Sequence, residues 1–267
     1  MEQNVLLKIE YDGSGFHGWQ RQEGMRTVQG ELEKALSIVI GSDVHIDGTG
    51  RTDAGVHALG QCATFSGKFG IPVERIPIAV NNILAGGRTG AGSKVSDVRI
   101  IEAKSVEPGF HARFDCVGKT YRYIINTGEA NIFRRNYCYF VNGKPDISLM
   151  RKAAEYIEGT HDFACFQTAG GTPRLTTVRT VFSIEIEESE GNDIYINVTG
   201  DGFLYNMVRI ITGTLVEAGL GRRSPESVKD AIEAKNRSMA GHTAPAEGLY
   251  MSEIFFKKED LLRGREI

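Results

Sequence analysis

The chain has 267 residues, 41% of them hydrophobic, and a formal net charge of −3. This length and apolar content are enough for a sizeable core in one large or two small domains. The sequence has no run of about 18 apolar residues, which a membrane-spanning helix needs, and its start lacks the basic and apolar pattern of a secretory signal. The small negative charge argues mildly against a general nucleic-acid binder, although a local basic groove would still suit RNA.

The cysteines are widely scattered, and they form neither a CxxC pair nor a Cys/His pattern with metal-ligand spacing. They are Cys62, Cys116, Cys138 and Cys165. We therefore expect reduced thiols in a cytoplasmic protein and no structural metal site.

The first part of the chain alternates strand and helix patterns. Residues 5–11 alternate apolar and polar side chains, which indicates a strand that ends at a turn over residues 12–15. The only tryptophan, Trp19, fits core packing better than ligand binding. Thr27 is suited to cap a helix whose apolar residues recur at helical spacing until Gly41. Strands are expected over 59–65 and 98–103, and a helix over 73–84.

The loop from Gly48 to Gln61 is the first candidate site. It is rich in glycine, which allows unusual backbone conformations and close approach, and it carries Arg51 and Asp53 two residues apart. Arg51 supplies a permanent planar charge, and Asp53 supplies a nucleophile or base. The alternative interpretation is a surface turn with a solvated ion pair, because turns favour Gly, Asp and Thr for local reasons.

A second glycine-rich stretch, from Gly86 to Lys94, resembles a phosphate cradle only in composition. It lacks the Gly-Lys-Ser/Thr ending of a Walker A loop, and no buried strand precedes it. We expect a flexible insertion that contacts RNA backbone at most.

The second half of the sequence predicts more strands than helices. Strands are expected over 117–125, 177–187, 194–198 and 249–256, with a helix around residues 149–157 that ends at Gly159 and a turn at 161–163. The predicted strands and helices do not form one long βαβ series, and this order predicts an α+β fold with a mainly antiparallel sheet. We expect two α+β domains, residues 1–107 with the Asp53 loop and residues 108–267 with Tyr121 and Arg209.

The stretch from Gly200 to Gly213 is the second candidate site. On a helical wheel, Phe203 and Met207 share an apolar face, whereas Arg209 lies on another flank with Tyr205 and Gly213. Because a small residue one turn away leaves room for close contact, Arg209 need not be a surface charge. Simple exposure to solvent remains the alternative.

Several motifs, in order and over nearly the whole chain, resemble the TruA family of tRNA pseudouridine synthases. The segment Gly50–Ala58 resembles the active-site signature of that family. Further similar segments are Tyr11–Gln22, Thr27–Gln29, Phe110–Phe114, Lys119–Tyr121, Gly159–Phe163, Phe203–Arg209 and Ala244–Leu249. The Gly86–Lys94 stretch departs from the family, which has a short Leu-Pro turn there, and this puts substrate contacts in doubt.

The resemblance implies two α+β domains flanking a central catalytic cleft, usually in a homodimer that binds tRNA. It implies that Asp53 is the essential aspartate, that Arg209 pairs with it and that Tyr121 stacks on the target base. Arg51 would hold the flipped nucleotide, and Leu249 would wall the pocket. The implied reaction converts uridine to pseudouridine at positions 38 to 40 of the anticodon arm. It involves no net redox change, so no cofactor or metal is expected.

Three other interpretations stay open on the sequence alone. The closest is a paralogous synthase acting on another tRNA position or on ribosomal RNA. A non-catalytic RNA-binding protein is a second, although binding alone does not need a carboxylate. A glycosidase is the third, but such enzymes use two carboxylates about 5–10 Å apart, and the Asp53 loop offers no obvious second one beyond Asp47.

Overall fold

The structure is a computed structural model that describes residues 2–86, 95–170, 175–189 and 191–262. The chain forms two compact units. Unit 1 comprises residues up to 117 together with those from 251 onwards, and unit 2 comprises residues 118–250. The expected domain boundary between residues 107 and 108 stays a prediction. The compact units divide after residue 117, and the C-terminal residues belong to unit 1.

The described elements run in chain order through both units. The strands are β1 (Gln3–Tyr11), β2 (Asp47–Gly48), β3 (His57–Gly67), β4 (Val98–Val106), β5 (Gly118–Asn126), β6 (Tyr139–Phe140), β7 (Gly159–Asp162), β8 (Val178–Glu188), β9 (Asp193–Gly200) and β10 (Leu249–Phe255). The helices are α1 (Val28–Ile40), α2 (Ile76–Leu84), α3 (Ile147–Glu155), α4 (Met207–Gly219), α5 (Ser227–Ala234) and α6 (Lys258–Leu262).

Unit 1 is built on the sheet β4-β1-β3-β10, with β2 paired to β3. The pairs β1–β3, β1–β4 and β2–β3 are all antiparallel. Alternation along β1 explains the core of the unit, because Val5, Leu7 and Ile9 are fully buried on one face while Lys8 is exposed on the other. The predicted strand and its buried face are confirmed.

Helix α1 begins and ends at the residues that the sequence indicates. The Thr27 side chain accepts a hydrogen bond from the backbone N–H of Gly30, and Gly41 closes the helix at a φ of 80°. Helix α2 starts only at Ile76, after a short 3-10 turn, so that Pro77 falls in the first turn, where its missing N–H costs nothing.

Unit 2 contains the strand order β5-β9-β8-β7, with antiparallel pairing throughout and the short β6 added parallel to β5. Helix α3 packs against α4 and β8. Eleven of the thirteen residues of α4 are buried, so this helix forms the centre of the unit. The predicted α+β class with a mainly antiparallel sheet is confirmed.

Three expectations about the second half are wrong. Helix α4 begins at Met207, so Phe203 and Tyr205 precede it. The cause is Asn206, whose left-handed backbone (φ 60°) interrupts the helical course. Helix α3 ends at Glu155, and Gly159 instead opens β7 with a φ of 107°. As a result, residues 161–162 lie on a strand rather than in a turn. Of the predicted Gly86–Lys94 insertion, residues 87–94 lie outside the described part of the chain.

Candidate active site

Asp53 lies in the loop that joins β2 to β3 in unit 1. The base of this loop is tied to β3, because the N–H and hydroxyl of Thr49 both donate to the carbonyl of Cys62, at 2.8 and 3.0 Å. Gln61 Nε2 donates to the carbonyl of Gly50 at 2.9 Å. Within the loop, the N–H of Val56 donates to the carbonyl of Asp53 at 3.2 Å. These bonds make the loop an ordered structure rather than a simple solvated turn.

A second segment, residues 11–19, holds the same loop from its other side. The backbone N–H of Trp19 donates to the carbonyl of Thr52 at 3.0 Å, and the hydroxyls of Tyr11 and Thr52 are 2.7 Å apart. Burial raises the pKa of Tyr11 well above its ordinary value, and the bond with Thr52 offsets only part of that rise. Tyr11 therefore stays a neutral hydrogen-bonding group, and the residue before Asp53 is fixed through both its backbone and its side chain.

Two glycines let these segments meet backbone to backbone. A Cβ atom at Gly13 would lie 2.0 Å from the carbonyl oxygen of Val56. A Cβ atom at Gly18 would lie 2.6 Å from the carbonyl oxygen of Thr52, and Gly18 also has a φ of 86°. The sequence-based interpretation treated residues 12–15 only as a turn and missed this role. The closely spaced glycines around Tyr11 and Trp19 were the available signal.

His57 secures the far end of the loop. Its Nδ1 lies 3.1 Å from the backbone nitrogen of Gly13, whose N–H donates to it, and 3.3 Å from Asp12 Oδ1. The side chain is 2% exposed.

Trp19 is equally buried, as expected, and its ring would lie 2.6 Å from a Cβ atom at Gly48. Asp53 is therefore half-buried on an anchored loop, while its neighbour Arg51 is exposed.

Unit 2 contributes the other predicted site residues. Tyr121 lies on β5, is 8% exposed and packs edge-on against the ring of Phe203, with 5.4 Å between centroids. Leu249 is buried at the first residue of β10. Units 1 and 2 thus each hold part of the predicted set, Arg51 and Asp53 in the first and Tyr121, Arg209 and Leu249 in the second.

Arg209 is half-buried in the first turn of α4, so the interpretation of a simple surface charge is wrong. Its Nε donates to the carbonyl of Ala244 at 2.7 Å, and its Nη1 donates to Asn206 Oδ1 at 2.8 Å. The room predicted at Gly213 exists, but it is filled by the backbone of His242, whose carbonyl oxygen would lie 1.9 Å from a Cβ atom at Gly213. Two hydrogen bonds therefore fix the guanidinium plane.

The segment before Leu249 is held by a residue that sequence reasoning assigned no role. The hydroxyl of Tyr123 donates to the carbonyl of Pro245 at 2.6 Å, and the Tyr123 ring would lie 2.5 Å from a Cβ atom at Gly248. Burial raises the pKa of Tyr123 well above its ordinary value. The tyrosine two residues beyond Tyr121 thus supports the polypeptide that leads to Leu249.

Over residues 2–86, 95–170, 175–189 and 191–262, no group of three or more His, Cys, Asp or Glu side chains could hold a metal ion. In the same part of the chain, none of the helices has the length and apolar character needed to cross a membrane.

Comparison with known proteins identifies the family. A family model described as tRNA pseudouridine synthase matches residues 8–115 and 153–257. The chain belongs to this family. The matched ranges include Asp53, Arg209 and Leu249, whereas Tyr121 lies between them.

Curated relatives are similar over nearly their full length. A protein named tRNA pseudouridine synthase A 2 from Clostridium tetani is 45% identical, over 96% of this chain and 100% of its own. A protein named tRNA pseudouridine synthase A from a Thermoanaerobacter species is 43% identical, over 95% of this chain and 99% of its own. A protein of the same name from Bacillus subtilis is also 43% identical, over 93% of this chain and 97% of its own.

Proposed function

We propose that this protein isomerises uridine to pseudouridine in tRNA, at positions 38, 39 and 40 of the anticodon arm. The observation that carries the proposal is the family match, which covers both parts of the chain that hold the Asp53 loop and Arg209. The anchoring of the Asp53 loop supports an enzyme rather than a binding module, because RNA binding alone does not require a precisely held carboxylate.

The proposed reaction rearranges one nucleotide without an external reactant. The N1–C1′ bond breaks, the uracil turns and a C5–C1′ bond forms. The hydrogen on C5 leaves as a proton and N1 takes up a proton, so atoms and electrons balance with no redox partner. Asp53 acts as the catalytic carboxylate. Anchoring matters because a misplacement of about 1 Å can cost a factor of about 100 in rate.

The remaining site residues bind and orient the nucleotide in this proposal. Removing a base from a stem costs about a few kcal/mol, and stacking on Tyr121 returns about 1–3 kcal/mol. The edge-on contact with Phe203 supports the Tyr121 ring. Arg51, which is exposed, holds the flipped nucleotide, and Leu249 forms an apolar wall. Arg209 is the arginine that the resemblance assigns as the partner of the catalytic carboxylate.

Pseudouridine mapping on unmodified tRNA transcripts tests the proposal. The wild type is compared with Asp53→Asn, which keeps the shape of the side chain but removes its charge. Asp43→Asn is the matched control, because Asp43 is an exposed aspartate in the same unit. We expect signal at positions 38 to 40 with the wild type and the control, and none with Asp53→Asn, whose tRNA affinity stays within about tenfold.

Other results would select the competing interpretations. Signal at another tRNA position, or on ribosomal RNA only, would keep the chemistry and identify a paralogous synthase. Binding of tRNA without pseudouridine formation by the wild type would favour a non-catalytic RNA-binding protein. Pseudouridine formed by Asp53→Asn at the wild-type rate would refute the assignment of the catalytic carboxylate.

We also propose that the protein acts in the cytoplasm as a homodimer, as the family resemblance implies. Three buried cysteines, Cys62, Cys138 and Cys165, are free thiols, which fits a reducing compartment. Light scattering of the purified protein, with and without tRNA, tests the dimer, since a mass of one chain at working concentrations would contradict it. Cell fractionation tests the location.

A further inference from the structure

A short segment of unit 2, residues 241–245, runs alongside helix α4, and we call it the strap. The N–H of Gly241 donates to the hydroxyl of Thr214 at 2.8 Å. At the other end, the N–H of Ala244 donates to the carbonyl of Arg209 at 3.1 Å, and the carbonyl of Ala244 accepts from Arg209 Nε at 2.7 Å. The strap therefore provides one of the two hydrogen bonds that orient the guanidinium.

The strap is fastened to α4 by a cluster of polar side chains around His242. The backbone N–H and the Nδ1 of His242 both lie 2.9 Å from Glu217 Oε1. An ionised carboxylate only accepts hydrogen bonds, so Nδ1 carries a proton. Nε2 lies 3.1 Å from the hydroxyl of Tyr139, which donates to it when the imidazole is neutral. The imidazole is thus held at both nitrogen atoms.

Glu217 is kept charged by its surroundings. Burial alone would raise the pKa of this carboxyl, but the two hydrogen bonds from His242 and the nearby guanidinium of Arg223 outweigh it, so that the pKa lies below its ordinary value. Arg223 Nε is 3.3 Å from Glu217 Oε2. Arg223 in turn donates from Nη2 to the carbonyl of Met239, just before the strap, at 2.9 Å.

The spacing on α4 explains why this cluster bears on Arg209. Arg209, Gly213 and Glu217 follow each other at intervals of four residues, which places them along one side of a helix. Glycine in the middle allows the His242 carbonyl to lie against the helix. With a rise of about 1.5 Å per residue, the arginine and the glutamate are about 12 Å apart along the axis. The strap spans this distance and connects them.

We infer that Glu217, acting through His242, is a positioning residue for Arg209. It holds the strap on the helix, and the strap fixes the Ala244 carbonyl that sets the plane of the guanidinium. The inference deepens the proposed function and rests on it, because Arg209 is assigned there to the active site. Neither Glu217 nor His242 needs to touch RNA for this role.

The test is Glu217→Gln, which preserves shape but removes the charge that both His242 and Arg223 require. Glu233→Gln is the matched control, because Glu233 is a 64% exposed glutamate on helix α5 of the same unit. We expect kcat for pseudouridine formation to fall about tenfold with Glu217→Gln, with KM for tRNA within about twofold. The control should match the wild type. An unchanged kcat would overturn the inference.

A double-mutant comparison separates positioning from a general loss of stability. In an Arg209→Lys background, the side chain no longer offers Nε to Ala244, so adding Glu217→Gln should lower kcat less than about twofold further. A further loss of about tenfold in that background would show that Glu217 acts independently of Arg209, and would refute the inference. Tyr139→Phe, which removes only the hydroxyl at His242 Nε2, serves as a milder second variant with an expected loss of about two- to fivefold.

A spectroscopic readout keeps the inference testable even if the proposed function fails. In the wild type, the Nε–H of Arg209 should give a resolved arginine side-chain NMR signal with slow hydrogen exchange, assigned by its loss in Arg209→Lys. The exchange should accelerate at least fivefold in Glu217→Gln and stay unchanged in Glu233→Gln. Equal exchange in all three proteins would overturn the coupling. Absence of pseudouridine with wild-type protein would instead refute the proposed function alone.

Discussion

Substitution of Gly18 by alanine gives the sharpest test of how the Asp53 loop is held. The added Cβ would lie 2.6 Å from the carbonyl oxygen of Thr52 and 3.2 Å from the carbonyl carbon of Asp53 itself. Both atoms belong to backbone, which cannot turn aside as a flexible side chain would. Gly18 also has a φ of 86°, a conformation that alanine rarely adopts.

The size of the effect follows from these two terms. The left-handed backbone costs alanine about 1–2 kcal/mol, and forced overpacking adds about 1–3 kcal/mol. Restoring an ordinary separation of 3.4 Å requires the segment 11–19 and the loop to move apart by about 0.8 Å. A displacement of that size at a catalytic group lowers the rate by about 10–100-fold. We therefore expect a less active protein that is also less stable, by about 2–5 kcal/mol.

The assay compares Gly18→Ala with Gly41→Ala. Gly41 lies in the same unit and has a φ of 80°, but a Cβ there would meet nothing within 4 Å. The control therefore carries the backbone cost without the displacement. The melting temperature should fall by roughly 4–20 °C for Gly18→Ala and by roughly 2–8 °C for Gly41→Ala. Single-turnover pseudouridine formation, measured well below both melting temperatures, should drop only for Gly18→Ala. Equal rates for the two variants would refute the argument that this contact positions Asp53.

Three other predictions concern residues outside the proposed catalytic set. Gly213→Ala would place a Cβ 1.9 Å from the carbonyl oxygen of His242. The free energy of unfolding, measured by urea denaturation, should therefore fall by about 1–3 kcal/mol or more. Tyr11→Phe removes a buried hydroxyl that bonds to the Asp53 loop, and the same measurement should show a loss of about 1–3 kcal/mol because its partner stays unsatisfied. The hydrogen bond from Lys235 holds the pKa of Asp162 below its ordinary value, so this carboxylate stabilises the fold above about pH 4 and the contribution is lost as the pH falls further. Between pH 5 and pH 3, wild-type stability should therefore decline more steeply than that of Asp162→Asn, and parallel declines would contradict the assignment.

Features that depend on nearby residues were predictable from the sequence. The ends of α1 are set by a capping threonine and by a left-handed glycine, and both signals lie within the helix or next to it. The start of α4 was not predictable in this way. A helical wheel does not show where a helix begins, so the apolar spacing alone placed Phe203 on the same helix as Met207. Nothing in that spacing showed that Asn206 would adopt a left-handed backbone.

Features that depend on residues distant in the sequence could not be predicted from the sequence. Asp53 was identified because its glycine-rich loop stands out and resembles a known signature, yet the support from Tyr11 and Gly18 comes from residues more than thirty positions away. The cluster at Glu217 and His242 is a similar case. Each of these residues looks like an ordinary polar or small residue in its own surroundings, and only packing shows what it contacts.

The return of the chain to unit 1 has a consequence for how the protein is made. Strand β10 adds to β3, and its residues from Met251 onwards belong to unit 1. The backbone N–H of Val117 donates a hydrogen bond to the carbonyl of Phe255 within this unit. A ribosome delivers these residues only after the whole of unit 2. During synthesis, the part of β3 that later pairs with β10 therefore has an open edge, which is the condition in which strands pair with other chains. The loop that carries Asp53 runs directly into that strand, so the sheet beside this loop is completed only after all of unit 2 has been synthesised.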